Sequence, residues 1–334
     1  MKELIINKNE AGQRSDKFLK KYLCNATGGF IYKMIRKKNI TLNDKKMTGN
    51  EILSLNDNIK IFFSDDTLNK FTADEKAVSK KSTADVNKIK KSIIYEDENI
   101  ILYNKDAGLL SQKSKPEDIS VNDILIEYMT ATGQLSDTEL KTFKPSICNR
   151  LDRNTSGLII FGKTLKALQY FSELLKNREM HKYYLCIVKG KLTKSSEITG
   201  FLTKNNTKNL VKIDKSGEQN GDFIKTVYYP IFSNNNLTLL KVLLITGKTH
   251  QIRAHLASIG HPLIGDSKYG DNKINRYFNE KYRLNHQLLH SYQLKFEEMH
   301  GDMNYLTDKD FTAEIPLIFD RIIKSEGLEN NITS

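Results

Sequence analysis

A polar loop that runs directly into a buried strand constrains this chain more than any other segment. Residues 149–157 read Asn-Arg-Leu-Asp-Arg-Asn-Thr-Ser-Gly, and residues 158–161 read Leu-Ile-Ile-Phe. A short continuous apolar run of this kind predicts a buried strand. The loop carries a carboxylate, Asp152, between Arg150 and Arg153. Since catalytic groups concentrate on loops held by a rigid scaffold, Asp152 is a candidate reacting residue.

The size and composition of the chain are those of a globular protein. Its 334 residues and 38.4 kDa allow two domains, one of them large. No segment approaches the ~18 apolar residues of a membrane helix, and the N-terminal residues lack the apolar core of a signal peptide. Cys24, Cys148 and Cys186 are sparse and odd in number, which predicts reduced, buried thiols in a cytoplasmic protein.

The positive charge of the chain is concentrated near its N-terminus. The formal net charge is +12, and residues 1–64 hold 13 Lys or Arg against 6 Asp or Glu. A basic excess of this size favours a polyanionic partner such as RNA. A lysine-rich composition can also arise without any such partner, so the charge alone does not decide between the two.

The N-terminal segment predicts two helices followed by two short strands. The helices are expected at residues 14–23 and 30–38, and the strands at residues 40–42 and 59–63. In the second helix, basic residues with helical spacing form one face, namely Lys33, Arg36 and Lys37. This face suits binding to the phosphates of an RNA backbone. The alternative is that the basic side chains are only exposed to solvent.

This arrangement resembles an S4-type RNA-binding domain. The residues that carry the resemblance are Arg14, Asp16, Leu19, Lys33, Ile35 and Arg36, with the strand at 40–43 and the approach to the last strand at 57–61. The resemblance implies that residues 1–66 form a small α/β RNA-binding domain. Residues 67–92 hold 7 Lys, 3 acids and few apolar residues, which predicts a solvated linker.

The remainder of the chain predicts an α+β domain over residues 93–326, with a C-terminal tail at 327–334. Strands dominate the pattern and only a few helices are interspersed, which indicates a large mixed, mostly antiparallel sheet. Strands are expected at 100–105, 157–161, 182–188, 227–231, 237–245 and 288–296. Helices are expected at 121–132, 165–176, 249–258 and 317–324.

Several kinds of site conflict with the spacing of the polar residues. His250 and His255 are five apart, whereas the zincin pattern needs four with a Glu between, so no metal is expected. Val242 stands where a phosphate-binding loop ending at Gly247 would need its first glycine. A serine hydrolase elbow is absent from the sequence. A glycosidase would need a partner carboxylate, for which Asp266 is a candidate that nothing pairs with Asp152.

Three ordered motifs resemble those of the RluA-type pseudouridine synthases. The first, Arg150 to Gly157, matches the family pattern Arg-Leu-Asp-x-x-Thr-Ser-Gly. The second is Lys182-x-Tyr184-x-Cys186. The third runs from Thr246 to Leu256 and continues through residues 260–266 and 269–270. Weaker matches lie at residues 95–109 and 289–291. The resemblance spans residues 93–320 and is closest to the RluC-like branch, which acts on large-subunit ribosomal RNA.

The resemblance implies an enzyme that isomerises uridines, most simply in 23S ribosomal RNA, to pseudouridine without a cofactor. Asp152 would be the essential carboxylate, either attacking C1′ or removing a proton from C2′. Arg253 would hold Asp152 ionised, and Tyr184 would stack on the flipped base and help to remove the C5 proton. RNA contacts are implied for Arg150, Arg153, Thr155, His250, Gln251 and the basic helix face. We expect a monomer without membrane association.

Three positions depart from the pattern of the family. Asn149 stands where many members carry His, Lys248 where many carry Arg, and Asp106 where many carry Pro. Lys248 keeps the charge of arginine but loses its planar fork. Two alternatives stay open at this point, a catalytically inert RNA-binding assembly factor and a hydrolytic nucleosidase or glycosidase.

Overall fold

Two β-sheets form the framework of the molecule, which a computed structural model describes. The structure describes residues 1–72, 85–205, 210–214 and 221–329. A four-stranded sheet belongs to the N-terminal segment, and an eleven-stranded sheet belongs to the rest of the chain. Each sheet has its own cluster of buried apolar side chains.

The N-terminal sheet has the strand order β1-β4-β2-β3. The strands are β1 (Lys2–Ile5), β2 (Ile40–Leu42), β3 (Lys45–Lys46) and β4 (Asn58–Ile61), and the helices are α1 (Ser15–Tyr22) and α2 (Gly28–Arg36). Helix α2 buries Ile31 and Ile35. It begins two residues before the predicted start because Thr27 accepts a hydrogen bond from the Phe30 amide and caps it. The identification of this unit as an S4-type domain stays a prediction.

Short helices lie at both ends of the predicted linker. Helix α3 (Asp65–Phe71) places Leu68 and Phe71 against the N-terminal core, and α4 (Val86–Lys91) places Ile89 in the core of the large sheet. Residues 73–84 lie outside the described residues. The domain boundaries at 66 and 93 therefore remain predictions, with helices attached to the units on either side.

The large sheet has the order β11-β10-β12-β13-β9-β14-β8-β6-β5, with β15 paired to β14 and β7 to β8. Its strands are β5 (Ile93–Glu96), β6 (Ile100–Lys105), β7 (Ser146–Ile147), β8 (Ser156–Gly162), β9 (Met180–Lys189), β10 (Ser196–Asn205), β11 (Leu210–Asp214), β12 (Asp222–Ser233), β13 (Leu237–Leu244), β14 (Leu289–Phe296) and β15 (Asp310–Thr312). The expected α+β class with a mixed, mostly antiparallel sheet is confirmed.

Helices cover both faces of this sheet. They are α5 (Val121–Ala131), α6 (Asp137–Leu140), α7 (Leu165–Asn177), α8 (Gln251–Ser258), α9 (Asn272–Tyr282) and α10 (Leu317–Ser325), with a 3₁₀ turn at Gly301–Leu306. Helices α5 and α8 pack on one face, where Tyr184 and Val242 point. Helices α7, α9 and α10 pack on the other, where the alternate residues Leu185 and Ile187 point. The candidate site lies on the first face.

A parallel contact joins the centre of the sheet. Strands β8 and β14 pair in parallel through Ser156–His290 and Gly157–Ser291, whereas the other described strand pairs are antiparallel. Gly157 has φ +107°, and a Cβ there would lie 2.2 Å from the Ser291 carbonyl oxygen. Only glycine fits a backbone conformation and an approach of this kind. Gly157 therefore joins the loop that carries Asp152 to strand β14.

Several sequence expectations were incomplete or wrong. Strands β1, β10 and β11 and helix α9 were not expected. The helix expected at 249–258 begins at Gln251, because His250 has a left-handed backbone with φ 56°. The cysteines are unpaired as expected, but Cys24 is exposed, so the prediction of a buried thiol is wrong there. Among the described residues, no helix has the length and apolar character needed to cross a membrane.

Candidate active site

Buried hydrogen bonds fix the loop that carries Asp152. Ser111 Oγ donates to the Leu151 carbonyl at 2.9 Å and accepts from the Leu151 amide at 3.0 Å. The Thr155 amide donates to the Asp152 carbonyl at 3.0 Å, which closes the turn. These contacts hold the backbone on both sides of the carboxylate, so Asp152 projects from a rigid turn.

Lys105, at the end of β6, also stabilises this loop through hydrogen bonds to backbone carbonyls. Its ammonium group donates to the carbonyls of Asp106, Leu109 and Arg153 at 2.8, 2.9 and 3.0 Å. The side chain is fully buried. Burial lowers the pKa of Lys105 to about 7, although the charges of Asp106 and Asp152 oppose the shift. Sequence reasoning included Lys105 only in the weaker match at 95–109 and gave it no role, because a lysine at the end of an apolar strand gives no signal of its function.

Arg253 is shared between two carboxylates. Its Nη1 donates to Asp152 Oδ2 at 3.1 Å, while Nε and Nη2 donate to Asp266 Oδ2 and Oδ1 at 2.7 and 2.8 Å. The Arg253 side chain is 5% exposed and that of Asp152 is 25% exposed. The predicted pairing of Arg253 with Asp152 is thus present in the structure, and Asp152 keeps one edge open to solvent.

Asp266 fixes the orientation of Arg253. Besides the two bonds from Arg253, its Oδ1 accepts from the amides of Lys268 and Tyr269 at 2.9 and 3.1 Å. Burial alone would raise the pKa of Asp266, but the hydrogen bonds and charge of Arg253 outweigh burial and lower that pKa. Asp266 is therefore an ionised partner of Arg253, not the second carboxylate of a glycosidase facing Asp152.

Tyr184 lies on β9 beside Asp152 and is almost completely buried. Burial raises the pKa of Tyr184 to about 12, with a smaller contribution from the charge of Asp152. A phenol with this pKa keeps its proton at neutral pH, because removing it would cost about 7 kcal/mol. The Tyr184 ring lines the same cavity as Asp152, and its expected roles in stacking on the base and in removing the C5 proton stay predictions.

Asp152, Tyr184 and Arg253 line one large basic cavity of about 950 Å³. Its wall carries eight cationic side chains, Arg150, Arg153, Lys176, Arg178, Lys182, Lys248, Arg253 and Lys268. Asp152 is the single carboxylate among the lining residues. A cavity of this charge and size suits a polyanion that inserts one unit beside Asp152.

No group of three or more His, Cys, Asp or Glu side chains placed to hold a metal ion occurs among the described residues. His255 in particular is buried and pairs through Nδ1 with Thr226 Oγ1 at 2.8 Å. It therefore does not converge with His250.

Comparison with known proteins decides the family. The model of the RNA pseudouridylate synthase family matches residues 99–258. A protein of Rickettsia bellii named ribosomal large subunit pseudouridine synthase C is 32% identical over 292 residues, which cover 85% of this chain and 91% of the relative. The chain belongs to the RNA pseudouridine synthase family.

Further comparisons agree with this assignment. An uncharacterized RNA pseudouridine synthase of Mycoplasma genitalium is 29% identical over 300 residues, covering 89% of this chain and 90% of the relative. The solved structure of human RNA pseudouridylate synthase domain containing 4 superposes with a TM-score of 0.56 at 20% identity. It covers 72% of this chain and 94% of the human chain, and it shows that the fold is shared.

The residues predicted to contact RNA divide into two groups. Arg150 and Arg153 are exposed at the rim of the pseudouridine synthase cavity. Thr155 is buried and accepts a hydrogen bond from Gln287 at 3.4 Å. Gln251 is also buried, and its amide bonds to Thr246, Lys248, Lys225 and Thr226 use its donors and acceptors. Thr155 and Gln251 therefore support the cavity wall, and RNA contacts by them stay predictions.

The predicted basic face of α2 is exposed in the N-terminal unit. Lys33, Arg36 and Lys37 are all on the surface, and no ion pair involves them among the described residues. Lys176, Arg178 and Lys182 at the cavity rim were not predicted as contacts. Lys182 opens the Lys182-x-Tyr184-x-Cys186 motif but was given no contact role, and charge was the only available signal for Lys176 and Arg178, which alone does not identify a site.

The three departures from the family pattern have local structural roles. Asn149 Oδ1 accepts from the Ile160 amide at 2.7 Å and Nδ2 donates to the Leu158 carbonyl at 3.3 Å, so it fastens the loop to β8. Lys248 pairs with Asp222 at 2.8 Å. Asp106 provides one of the three carbonyls that hold Lys105. Each departure leaves the pairing of Asp152 and Arg253 intact.

Proposed function

We propose that this protein isomerises specific uridines of 23S ribosomal RNA to pseudouridine, acting as a cytoplasmic monomer without a cofactor. Membership of the family gives the reaction, and the relatives named for the large ribosomal subunit support the RNA class. The observation that carries the proposal is the pairing of Asp152 with Arg253 inside a basic cavity.

Asp152 would act on the ribose of a uridine that has left its stack. The reaction breaks the bond between C1′ and N1, turns the uracil and joins C5 to C1′. Asp152 either attacks C1′ or takes a proton from C2′, and both require an ionised carboxylate. Arg253 donates to Asp152 Oδ2 through Nη1 at 3.1 Å and so places a positive charge beside the carboxylate and fixes its orientation.

The other side chains would bind and orient the RNA. The Tyr184 ring would stack on the extruded base, as aromatic side chains commonly do with unstacked bases. Arg150 and Arg153 would bind phosphates at the rim, and Lys33, Arg36 and Lys37 would bind the backbone at a distance. In this scheme the N-terminal unit supplies affinity and the cavity supplies the chemistry.

Mapping of pseudouridines in ribosomal RNA tests this proposal. Cells that lack the protein should lose one or more pseudouridines from 23S RNA, and expression of the wild-type chain should restore them. Restoration by the Asp152→Asn variant, or an unchanged map, would contradict the enzyme proposal and favour a non-catalytic assembly factor. Release of free uracil from RNA would instead identify a hydrolase.

A further inference from the structure

His250 occupies a strained backbone position next to the reacting carboxylate. Its φ and ψ are 56° and 15°, in the left-handed region, directly before helix α8. A residue other than glycine pays about 1–2 kcal/mol for this conformation. The side chain makes no capping bond to the helix. Backbone strain of this kind clusters at functional sites, which raises the question of what the imidazole does.

The conformation brings the ring to the wall of the cavity beside Asp152. His250 Nε2 lies 3.8 Å from Asp152 Oδ2, and the side chain is 8% exposed. This distance is too long for a hydrogen bond between the two groups. One nitrogen of the imidazole therefore faces the space next to the carboxylate, where the substrate would be.

The other nitrogen is held by Tyr269, and the direction of that bond follows from a third residue. The Val211 amide donates to Tyr269 Oη at 2.9 Å, and Tyr269 Oη lies 3.0 Å from His250 Nδ1. The Val211 amide can only donate, so among the described contacts of Tyr269 Oη the acceptor for the phenol proton is His250 Nδ1. The proton of the neutral imidazole must then be on Nε2, facing Asp152.

The surrounding charges agree with this tautomer. Burial lowers the pKa of His250, and the opposing attraction of Asp152 is smaller. The other groups that face the ring are Arg253 and Lys268, which also lower its pKa, and Asp266, which raises it. The ring is therefore neutral at neutral pH, and a proton on Nε2 faces the negative carboxylate instead of a lone pair.

We propose that His250 is a further catalytic residue, which donates a hydrogen bond from Nε2 to the O2 carbonyl oxygen of the target uracil, and that Tyr269 is its positioning residue. This inference rests on the proposed function. When the C1′–N1 bond breaks, its electron pair passes to N1 and is shared with O2 and O4. O2 is on the carbon bonded to N1, so it lies close to C1′ and within reach of a donor beside Asp152.

The donor is compatible with either role of Asp152. If Asp152 attacks, a C1′–O bond forms as C1′–N1 breaks; if it takes the C2′ proton, a C1′–C2′ double bond forms instead. In both cases the uracil carries the negative charge and no proton leaves His250. A preorganised donor at such an oxygen contributes about 10²–10³-fold to the rate.

Rates with a short RNA that carries the mapped uridine test the proposal. His250→Ala should lower the single-turnover rate about 100-fold with little change in RNA affinity, and His250→Gln, whose amide reaches the Nε2 position, should recover about tenfold of that loss. Exposed His300→Gln is the control. An active wild type with an equally fast His250→Ala variant would overturn this inference alone, whereas an inactive wild type would contradict the proposed function as well.

Sulfur substitution identifies the oxygen. Sulfur accepts hydrogen bonds weakly, so replacing the target with 2-thiouridine should reduce the penalty of His250→Ala from about 100-fold to below about tenfold, and 4-thiouridine should leave it unchanged. A full penalty with 2-thiouridine would overturn the assignment to O2.

The tautomer has a readout that needs no activity. Nitrogen NMR of the wild-type chain labelled in histidine should show His250, assigned by its absence in His250→Gln, with the proton on Nε2. Tyr269→Phe should shift this resonance towards a mixture of tautomers. A proton on Nδ1 in the wild type, or an unchanged spectrum in Tyr269→Phe, would overturn the role of Tyr269.

Discussion

Arg253 contacts Asp152 through a single nitrogen, Nη1, at 3.1 Å, across a separation of 101 positions in the chain. Its other two donor nitrogens, Nε and Nη2, bond the carboxylate of Asp266. The arginine is therefore oriented before any substrate arrives, and both of the Asp152 side-chain contacts found among the described residues involve Oδ2. A bidentate pair would have occupied both oxygens of the reacting group.

The role proposed for the Asp152 carboxylate predicts the effect of replacing it by the neutral isostere asparagine. Asp152→Asn should lower isomerisation by at least ~10³-fold because the amide can neither attack C1′ nor accept the C2′ proton. RNA affinity should stay within about twofold, since the cationic rim is unchanged. Single-turnover assays and RNA titration measure the two quantities. Retained turnover would mean that another carboxylate reacts.

Removing the negative charge of Asp266 should lower the rate because Arg253 loses the partner that fixes its orientation. Asp266→Asn keeps an oxygen for the amides of Lys268 and Tyr269 but loses the ion pair. We expect kcat to fall about 10–100-fold with little change in KM, and the free energy of unfolding to fall by about 3 kcal/mol.

Asp271→Asn is the matched control, because Asp271 pairs with Lys189 at 2.7 Å and is absent from the cavity wall. Its kcat should equal that of the wild type. If Asp266→Asn lowered stability but left kcat unchanged, the orienting role would be wrong.

The loop anchor Lys105 predicts a coupled loss of stability and rate. Lys105→Met would remove a donor shared by three part-buried carbonyls, of which the Arg153 carbonyl keeps its bond from the Gly108 amide, and each carbonyl left without a partner should cost about 1–3 kcal/mol. Because one of them belongs to Arg153, beside Asp152, kcat should fall at least about tenfold. Lys163→Met removes a comparable lysine that bonds Glu96 and the Asp97 carbonyl away from the cavity. Thermal unfolding should show that both variants are less stable than the wild type, whereas only Lys105→Met should have a lower kcat.

The basic face of α2 predicts a change in salt dependence. Replacing Lys33, Arg36 and Lys37 by Gln should reduce the slope of log affinity against log salt by about 2–3, because each phosphate contact contributes about 0.7–0.9. The control replaces Lys166, Lys281 and Lys324, which are already ion-paired. Equal slopes for the two triple variants would indicate that the face is only solvated.

Buried histidines predict a loss of stability in mild acid. Burial lowers the pKa of His255 to about 4, below the value near 6.5 of an unfolded chain. The unfolded state thus binds the extra proton first, so stability is present above about pH 6.5 and is lost as pH falls towards 4. Between about pH 7 and pH 5 the group should cost about 2 kcal/mol.

Urea unfolding of His255→Asn measures this term. The variant should lose about 2 kcal/mol less than the wild type over the same pH interval. His290, whose pKa burial also lowers to about 4, should account for a similar share. An identical pH dependence in His255→Asn would show that other groups control acid stability.

The central strands and the family were predictable from the sequence because apolar runs and ordered motifs are local signals. The long polar strand β10 was not, since it carries no sustained apolar stripe; helix α9 does place Ile274, Phe278 and Tyr282 at helical spacing, and this signal was overlooked. Asp266 illustrates the limit for the site. Sequence reasoning considered it as a partner of Asp152 without a way to pair them, and the structure shows that Arg253 lies between the two.

The parallel contact between β8 and β14 has a consequence for the order in which the protein is made. Ser156 bonds His290, which is synthesised 134 residues later, or roughly 10 s later at typical elongation rates. The catalytic loop therefore leaves the ribosome long before Arg253, Asp266 and the strand that fastens Gly157 exist. Activity should therefore first arise after β14 has been made, so a nascent chain that stops before Leu289 should be inactive.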